Sequence, residues 1–312
     1  MKILVTGVAG FIGSHIAERL LADGADVTGI DCFTDNYPRE IKERNLSALT
    51  GNSRFGFIEA DLLKTDLAAS LNGVEAVFHE AAIPGVRDSW GRRFELYLNN
   101  NILATQKLLE AAKNLKLKKF VLASSSSIYG DAESFPTRED ALPRPMSPYG
   151  VTKLSSEHLA LLYEKNFGVP AVALRYFTVY GPRQRPDMAF NILLRAARDS
   201  KRFDMFGDGS QTRDFTYISD AVAANLSALE RGAPGRSYNI GGGSRVSMNH
   251  VIETVKKITG AEISIALSEA KKGDVRNTSA DTSLARAELG YSPSVSLEDG
   301  LRSEWEWIKK QS

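Results

Sequence analysis

Apolar positions along this chain fall into two rhythms that take turns. Ile3 to Val5 is a short continuous apolar run, and beyond a glycine-rich turn Ile16, Leu20 and Leu21 recur at helical spacing. Further apolar runs at 25–30, 54–60, 76–82, 119–125 and 171–179 read as strands, separated by amphipathic stretches and short connections. Such alternation places strands side by side in parallel, joined by right-handed helical crossovers, so it predicts an α/β fold on a doubly wound parallel sheet. After Gly181 the rhythm shortens. Strands at 214–218, 237–240 and 262–266 mix with helices and with the turn clusters Gly207-Asp208-Gly209 and Gly241-Gly242-Gly243. This predicts a smaller C-terminal α/β lobe over 181–312, interleaved with a larger domain over 1–180. With no low-complexity linker and no internal repeat, the two are expected to share a cleft.

The turn after the first strand carries chemistry. Gly7, Gly10 and Gly13 are spaced Gly-x-x-Gly-x-x-Gly, a departure from the commoner Gly-x-Gly-x-x-Gly. Gly7 suits the sharp bend, Gly10 a close approach of backbone to a pyrophosphate, and Gly13 tight packing of helix on strand. The helix opening at Phe11 and Ile12 offers oriented N–H donors. The second predicted strand leads to Asp31, whose carboxylate is placed to accept hydrogen bonds from an adenosine ribose and to repel a 2′-phosphate. A Rossmann-type domain that takes NAD in preference to NADP is therefore expected.

A second constellation lies mid-chain. Tyr149 and Lys153 stand four residues apart in the helical segment SPYGVTKLSSEHLALLYEK, which puts both side chains on one face. A phenol with its ordinary pKa of about 10 is a poor base at neutral pH, and a fixed ammonium beside it is expected to favour the phenolate. Ser125 ends the run 119–125, where its hydroxyl can hydrogen-bond the same substrate group that the phenolate attacks. Ser124 and Ser127 read equally well as polar loop caps.

Composition narrows the setting. Of 312 residues, 43% are hydrophobic and 25% charged, with a formal net charge of +1, which gives ample core and no electrostatic signature for nucleic acid or membrane. Cys32 is the only cysteine, so neither an intrachain disulfide nor a cysteine-rich metal site is expected. The N-terminus enters a strand at once without a signal-peptide pattern, and no apolar run approaches a membrane span; a cytoplasmic location is expected.

Taken in order, the glycines, Asp31, Ser125 and the Tyr149–Lys153 pair resemble the extended short-chain dehydrogenase/reductase family from Met1 to about Trp307. The resemblance implies that Asp61 and Leu62 contact adenine, that Ala81 and Ala82 line the cofactor, and that Asn101 serves it from the central helix. It also implies that Tyr149 and Lys153 are the catalytic pair with Ser125, and that Tyr176 and Phe177 lie beside the nicotinamide. His79, next to this stretch, reads as a satisfied core histidine. The C-terminal half is similar to the nucleotide-sugar branch. Residues 207–215, GDGSQTRDF, resemble a signature that puts Arg213 near a diphosphate, and Gly273-Asp274-Val275-Arg276 resembles another that implies Asp274 near a ribose hydroxyl and Arg276 near phosphate. Paired guanidinium forks suit a diphosphate. A homodimer is implied by the same resemblance, through the Tyr149 helix and the one over 101–116; Leu154, Leu161 and Leu162 either form that interface or face the sheet.

The reaction follows from what is missing. Dehydratases of this branch carry Asp-Glu after the catalytic residue and decarboxylases of UDP-glucuronate a glutamate, whereas Ser126 and Ser127 stand here. Epimerisation of a UDP-sugar at C4 through a 4-keto intermediate remains. Pro84, Gly85, Val86 and Arg87, with RYFTVYGPRQRPDMAF over 175–190, resemble bacterial UDP-glucuronate 4-epimerases more than glucose-type ones. Thr178 stands where glucose-type enzymes have Asn. Hydroxyls of Ser126, Ser127 and Thr178 could satisfy a C6 carboxylate, with Arg185 either supplying charge to it or serving as a phosphate contact or solvated loop residue. A UDP-glucose or UDP-N-acetylglucosamine 4-epimerase, a UDP-glucuronate decarboxylase and a non-catalytic NAD-binding protein are the alternatives.

Overall fold

The computed structural model describes residues 1–269 and 273–311. Seven strands form one parallel sheet: β1 (Lys2–Thr6), β2 (Asp26–Asp31), β3 (Phe55–Glu59), β4 (Ala76–His79), β5 (Lys119–Ser125), β6 (Ala171–Tyr176) and, far along the chain, a strand at Ser237–Ile240. Their spatial order runs from the Ser237–Ile240 strand through β6, β5, β4, β1 and β2 to β3. The order reverses between β1 and β4. At that switch point the crossovers leave to opposite sides of the sheet and open a crevice beyond the strands' carboxyl ends.

Both sheet faces are covered, which explains the unbroken apolar runs. Successive strand residues alternate between faces: Ile3, Val5 and Phe78 pack with α1 (Phe11–Ala22), whereas Leu4 and Val77 pack with Leu108, Leu109 and Ala160. Those last residues come from α3 (Ala104–Ala112) and α4 (Pro148–Phe167), which follow α2 (Arg39–Leu46) among the longer helices. Further on come α5 (Ala189–Asp199), α6 (Ile218–Arg231), α7 (Met248–Thr259) and α8 (Leu297–Lys309). Helix α6 supplies Ala221 and Ala224 to the α1 face of the large sheet, and Ala285, Leu289 and Tyr291 add to the same face, so the chain returns to that sheet repeatedly after residue 181, including with its edge strand.

The strand expected at 214–218 runs Thr212–Tyr217 and the one at 262–266 runs Ile265–Ser268; the other departures have local reasons. The run 171–179 is not one strand: it breaks at Phe177, whose N–H still bonds the carbonyl of Ile240, after which β7 (Thr178–Tyr180) leaves to pair with Phe215–Tyr217. The run 76–82 stops pairing after His79, because the next residues turn away to wall the crevice. Two strands lay below the reach of periodicity, β8 (Phe203–Phe206) and Arg245–Ser247, the first pairing with Ile265–Ser268 and the second with Thr212–Asp214. Around these short strands α5, α7 and α8 enclose a separate core that includes Leu193, Phe203, Val251 and Leu301. No helix among the described residues is long and apolar enough to cross a membrane.

Candidate active site

A cavity of about 370 Å³ occupies the switch point. Its first wall is the glycine turn, and the structure shows why side chains are barred there. Gly7 has φ +68°, and a Cβ on it would lie 2.7 Å from the Ala81 nitrogen; one on Gly13 would lie 2.3 Å from the Gly7 carbonyl oxygen. No side chain caps α1, so its first N–H groups are left without side-chain partners, and Phe11, Ile12 and Gly13 line the cavity; such a helix start favours an anion. Gly10, Asp31, Asp61, Leu62, Ala81 and Ala82 complete this end.

Asp31 does more than expected. Its Oδ2 accepts the Ala9 N–H at 3.1 Å and its Oδ1 the Phe33 N–H at 2.9 Å, so the carboxylate holds the glycine turn in place while lining the cavity. Burial pushes its pKa up, against those hydrogen bonds and the nearby Lys42. Lys42 itself is buried, donates to the Thr34 carbonyl and to Asn36 Oδ1 at 2.8 Å, and lines the cavity with Tyr37. Sequence reasoning missed both, since a lysine in the charged stretch REIKERNL reads as a solvated helix face.

Asn101 corrects an expectation. It stands outside the cavity lining, buried in a π-helical turn, where its side chain accepts the Ile83 N–H at 2.7 Å and donates to the Ile83 carbonyl at 3.0 Å and to Thr152 Oγ1 at 3.0 Å. It braces the wall over 81–84 from behind. His79 is the core histidine expected: its ring bonds Thr6 and Thr105 hydroxyls at 2.7 and 2.9 Å, and burial, then Lys153, lowers its pKa to about 3.

Opposite the glycine turn lies the Tyr149 end. Ser147 caps α4 by accepting the Gly150 N–H, and Pro148 occupies the first turn. A Cβ on Gly150 would fall 2.6 Å from the Ser127 carbonyl oxygen, so bare backbone lets the helix press against the serine turn that follows β5. Ser125, Ser126, Ser127, Tyr149, Lys153, Tyr176, Thr178, Arg185 and Pro84 all line the cavity. Ser125 lies close enough to Tyr149 to pull the phenol's titration down, and its Oγ accepts the Ser127 N–H at 3.1 Å. Ser124 instead donates to Glu157 Oε2 at 2.5 Å, joining the buried Glu157–Arg175 ion pair, at 2.6 Å, beneath the site.

The electrostatics depart from the simple picture. Burial pushes the Tyr149 phenol up; Ser125 and Arg185 pull it down, and Glu80 pushes it further up. Among the charges that lower the phenol, Arg185 is the one that stands out. Lys153 is buried, which lowers its pKa to about 8 against the opposing pull of Glu80 and Glu157. Both side chains line the same cavity from α4, but desolvation outweighs proximity here. Arg185 also makes a two-pronged contact with Asp187, at 3.0 and 2.8 Å.

The remaining predicted residues gather in a second cluster, outside the lining but reached through Val86. Arg87 donates to Asp274 Oδ2 at 2.7 and 3.0 Å and stacks 4.3 Å over the Phe206 ring. Arg213 donates to the Thr212 and Arg276 carbonyls, each at 3.0 Å, and its pKa is lowered by burial and by Arg87 nearby. The Arg276 side chain is exposed, with its backbone N–H on Asp131. The cleft thus has a reaction end and a cationic end.

The glycine turn at a switch point, an uncapped helix start and a phenol facing them across one cavity define an enzyme that works with a dinucleotide. The chain belongs to the NAD-dependent epimerase/dehydratase family, whose model matches residues 3–241, and NAD is its cofactor. It is 50% identical to the UDP-glucuronic acid 4-epimerase of Bacillus cereus, solved in complex with UDP-glucuronic acid and NAD, with a TM-score of 0.97 and 99% of each chain covered. It is 48% identical over 308 residues to an uncharacterised UDP-glucose epimerase of Bacillus subtilis, YtcB, covering 97% of this chain and 96% of that one. Identity to the UDP-glucuronate 4-epimerase of Thermodesulfobacterium geofontis is 38% over 312 residues, covering 98% and 96%.

Proposed function

We propose that the protein inverts C4 of a UDP-sugar and that its substrate pair is UDP-glucuronate and UDP-galacturonate. The observation that carries this reading is the wall formed by Ser126, Ser127, Thr178 and Arg185 beside Tyr149: three hydroxyls and a guanidinium, with no carboxylate among those four. A C6 carboxylate moved out of water needs such donors, since desolvation without them costs several kcal/mol. Elimination of water would instead need a further acid and base on this wall.

In the proposed reaction Tyr149 Oη takes the proton of the sugar O4 while Ser125 Oγ donates to the carbonyl oxygen forming there. Bound NAD supplies reversible hydride acceptance, so a ketone made at C4 can be reduced again and nothing is consumed. The cavity then lets the 4-keto sugar turn, and Tyr149 returns the proton to O4 after the opposite face has been presented. Gly7, Gly10, Phe11, Ile12 and Gly13 would hold the cofactor's pyrophosphate and Asp31 its ribose, while Arg87, Arg213, Asp274 and Arg276 take the UDP end.

A neutral-sugar epimerase is the second reading. It is favoured by one contact: Arg185 is already neutralised by Asp187. Incubation with UDP-glucuronate, UDP-glucose and UDP-xylose in parallel separates the two. UDP-galacturonate is the expected main product; conversion of UDP-glucose at equal or better kcat/KM overturns the glucuronate assignment, and release of carbon dioxide overturns epimerisation.

A homodimer belongs to the same proposal. Val151 and Leu162 on α4 and Leu103 in the segment 101–116 are exposed, as are Leu96 and Leu98 just ahead of that segment. Leu154 does not join them, because it packs against the core of Ile128, Tyr129 and Phe177.

A further inference from the structure

One ionisable group in the reaction end has no part in the scheme so far. Glu80 follows the last residue of β4, its N–H on the Thr6 carbonyl at 3.3 Å, and its side chain lines the cavity. Tyr176, at the end of β6, reaches across the end of β5 and donates its O–H to Glu80 Oε1 at 3.1 Å; the buried Asn225 amide on α6 donates to the Tyr176 oxygen at 2.7 Å. A relay of three side chains therefore ends on this carboxylate. Glu80 lines one cavity with Tyr149 and Lys153 from α4 and Tyr176 from β6, and these groups act on one another electrostatically; Glu157 also acts on Lys153, and Lys153 on His79.

We propose that Glu80 is a positioning residue of this active site: it fixes Tyr176 against the cavity wall and balances the Lys153 ammonium, and through that charge it sets the upper pH limit of the reaction. The proposal rests on the role proposed above for Tyr149 and on Lys153 as its partner on α4, as the family resemblance implies. Burial raises the Glu80 carboxyl to about 7, against the pull of Lys153 and the Tyr176 hydrogen bond, so it carries charge on the alkaline side of neutrality, where Lys153 needs support. Glu80 and Glu157 both favour the protonated amine there, against the burial that lowers it. Removing the Glu80 charge leaves Lys153 to lose its proton at a lower pH.

The test uses the NAD-loaded enzyme and Glu80→Gln, with two readouts: the pH profile of kcat and the titration of the Lys153 εCH₂ resonance in protein carrying ¹³C-labelled lysine. In the variant both the alkaline limb and the Lys153 titration are expected to move to lower pH, by at least about 0.5 unit. Tyr176→Phe removes the donor to Glu80 and should move both in the same direction by less, with no further movement when combined with Glu80→Gln. A fall in kcat with neither curve displaced overturns the proposal and leaves Glu80 a packing residue. A displaced Lys153 titration with an unmoved limb supports the charge balance and counts instead against the catalytic reading of Tyr149 and Lys153. Should Glu80→Gln fail to fold, Tyr176→Phe carries the test alone, and an unmoved Lys153 titration in it overturns the proposal.

Discussion

The two ends of the cleft are made of different material. The dinucleotide end is made of backbone: Gly7, Gly10 and Gly13 fold the turn against itself and against Ala81 so closely that a single added carbon collides with main chain. The cationic end is made of long side chains that hold one another, Arg87 with Asp274 across 187 residues of sequence and Arg213 with carbonyls of its own and a neighbouring segment. Backbone walls resist change at every atom, because nothing nearby can swing aside. Side-chain walls yield, and their contacts can be exchanged for those of a ligand. Substitutions should therefore hit stability first at the dinucleotide end and affinity first at the cationic end.

The largest effect is expected at Gly13. A methyl group there would sit 2.3 Å from the Gly7 carbonyl, so Gly13→Ala must push the α1 start away from the turn. Overpacking of this kind costs about 1–3 kcal/mol and at times more. Urea unfolding should show a loss at the upper end of that range, and calorimetry should show NAD affinity reduced by more than tenfold. Wild-type affinity in a folded variant would mean that the turn is not the anion cradle.

Asn101 sharpens the comparison, because it is a side chain that props backbone. Asn101→Ala leaves the backbone N–H and C=O of Ile83 without these partners in a buried wall, and each unsatisfied group costs roughly 1–3 kcal/mol. Asn101→Asp keeps the acceptor for the Ile83 N–H but sets a buried carboxylate oxygen against the Ile83 carbonyl, so it should be no more stable than alanine. Thermal unfolding of the three proteins tests that order; equal midpoints would show that Asn101 is no brace.

Much of this architecture was readable in the chain itself, and the parts that were not share a cause. The limits of the Lys119–Ser125 and Ser237–Ile240 strands and the glycine turn were legible because each rests on a local rule, apolar run length or freedom at φ, that neighbours in sequence obey. Asn101 and Lys42 misled because a polar residue on a helix looks alike whether it faces a ligand, a carbonyl or water. The Tyr149–Lys153 spacing was right while its electrostatic consequence was not, because burial and Arg185, which no spacing reveals, govern the phenol. Glu80 went unnoticed beside His79 for the same reason: its partner Tyr176 lies 96 residues away.

The smallest effect is expected at Asp274, and it tests whether the cationic end works by exchange. Both contacts of Arg87 fall on Oδ2 of a carboxylate in a partly exposed, solvent-screened pair, so the bridge itself contributes about 0–1 kcal/mol to stability. Asp274→Ala should leave the unfolding midpoint almost unchanged. It should nevertheless weaken UDP binding a few-fold, by removing an acceptor for the ribose and letting the Arg87 guanidinium wander from its seat over Phe206. Arg87→Ala should do the same, and the double variant should bind UDP scarcely worse than either alone if the two act as one unit. Full additivity would mean that each touches the nucleotide independently, and a loss of stability larger than the loss of affinity would erase the distinction between the two ends.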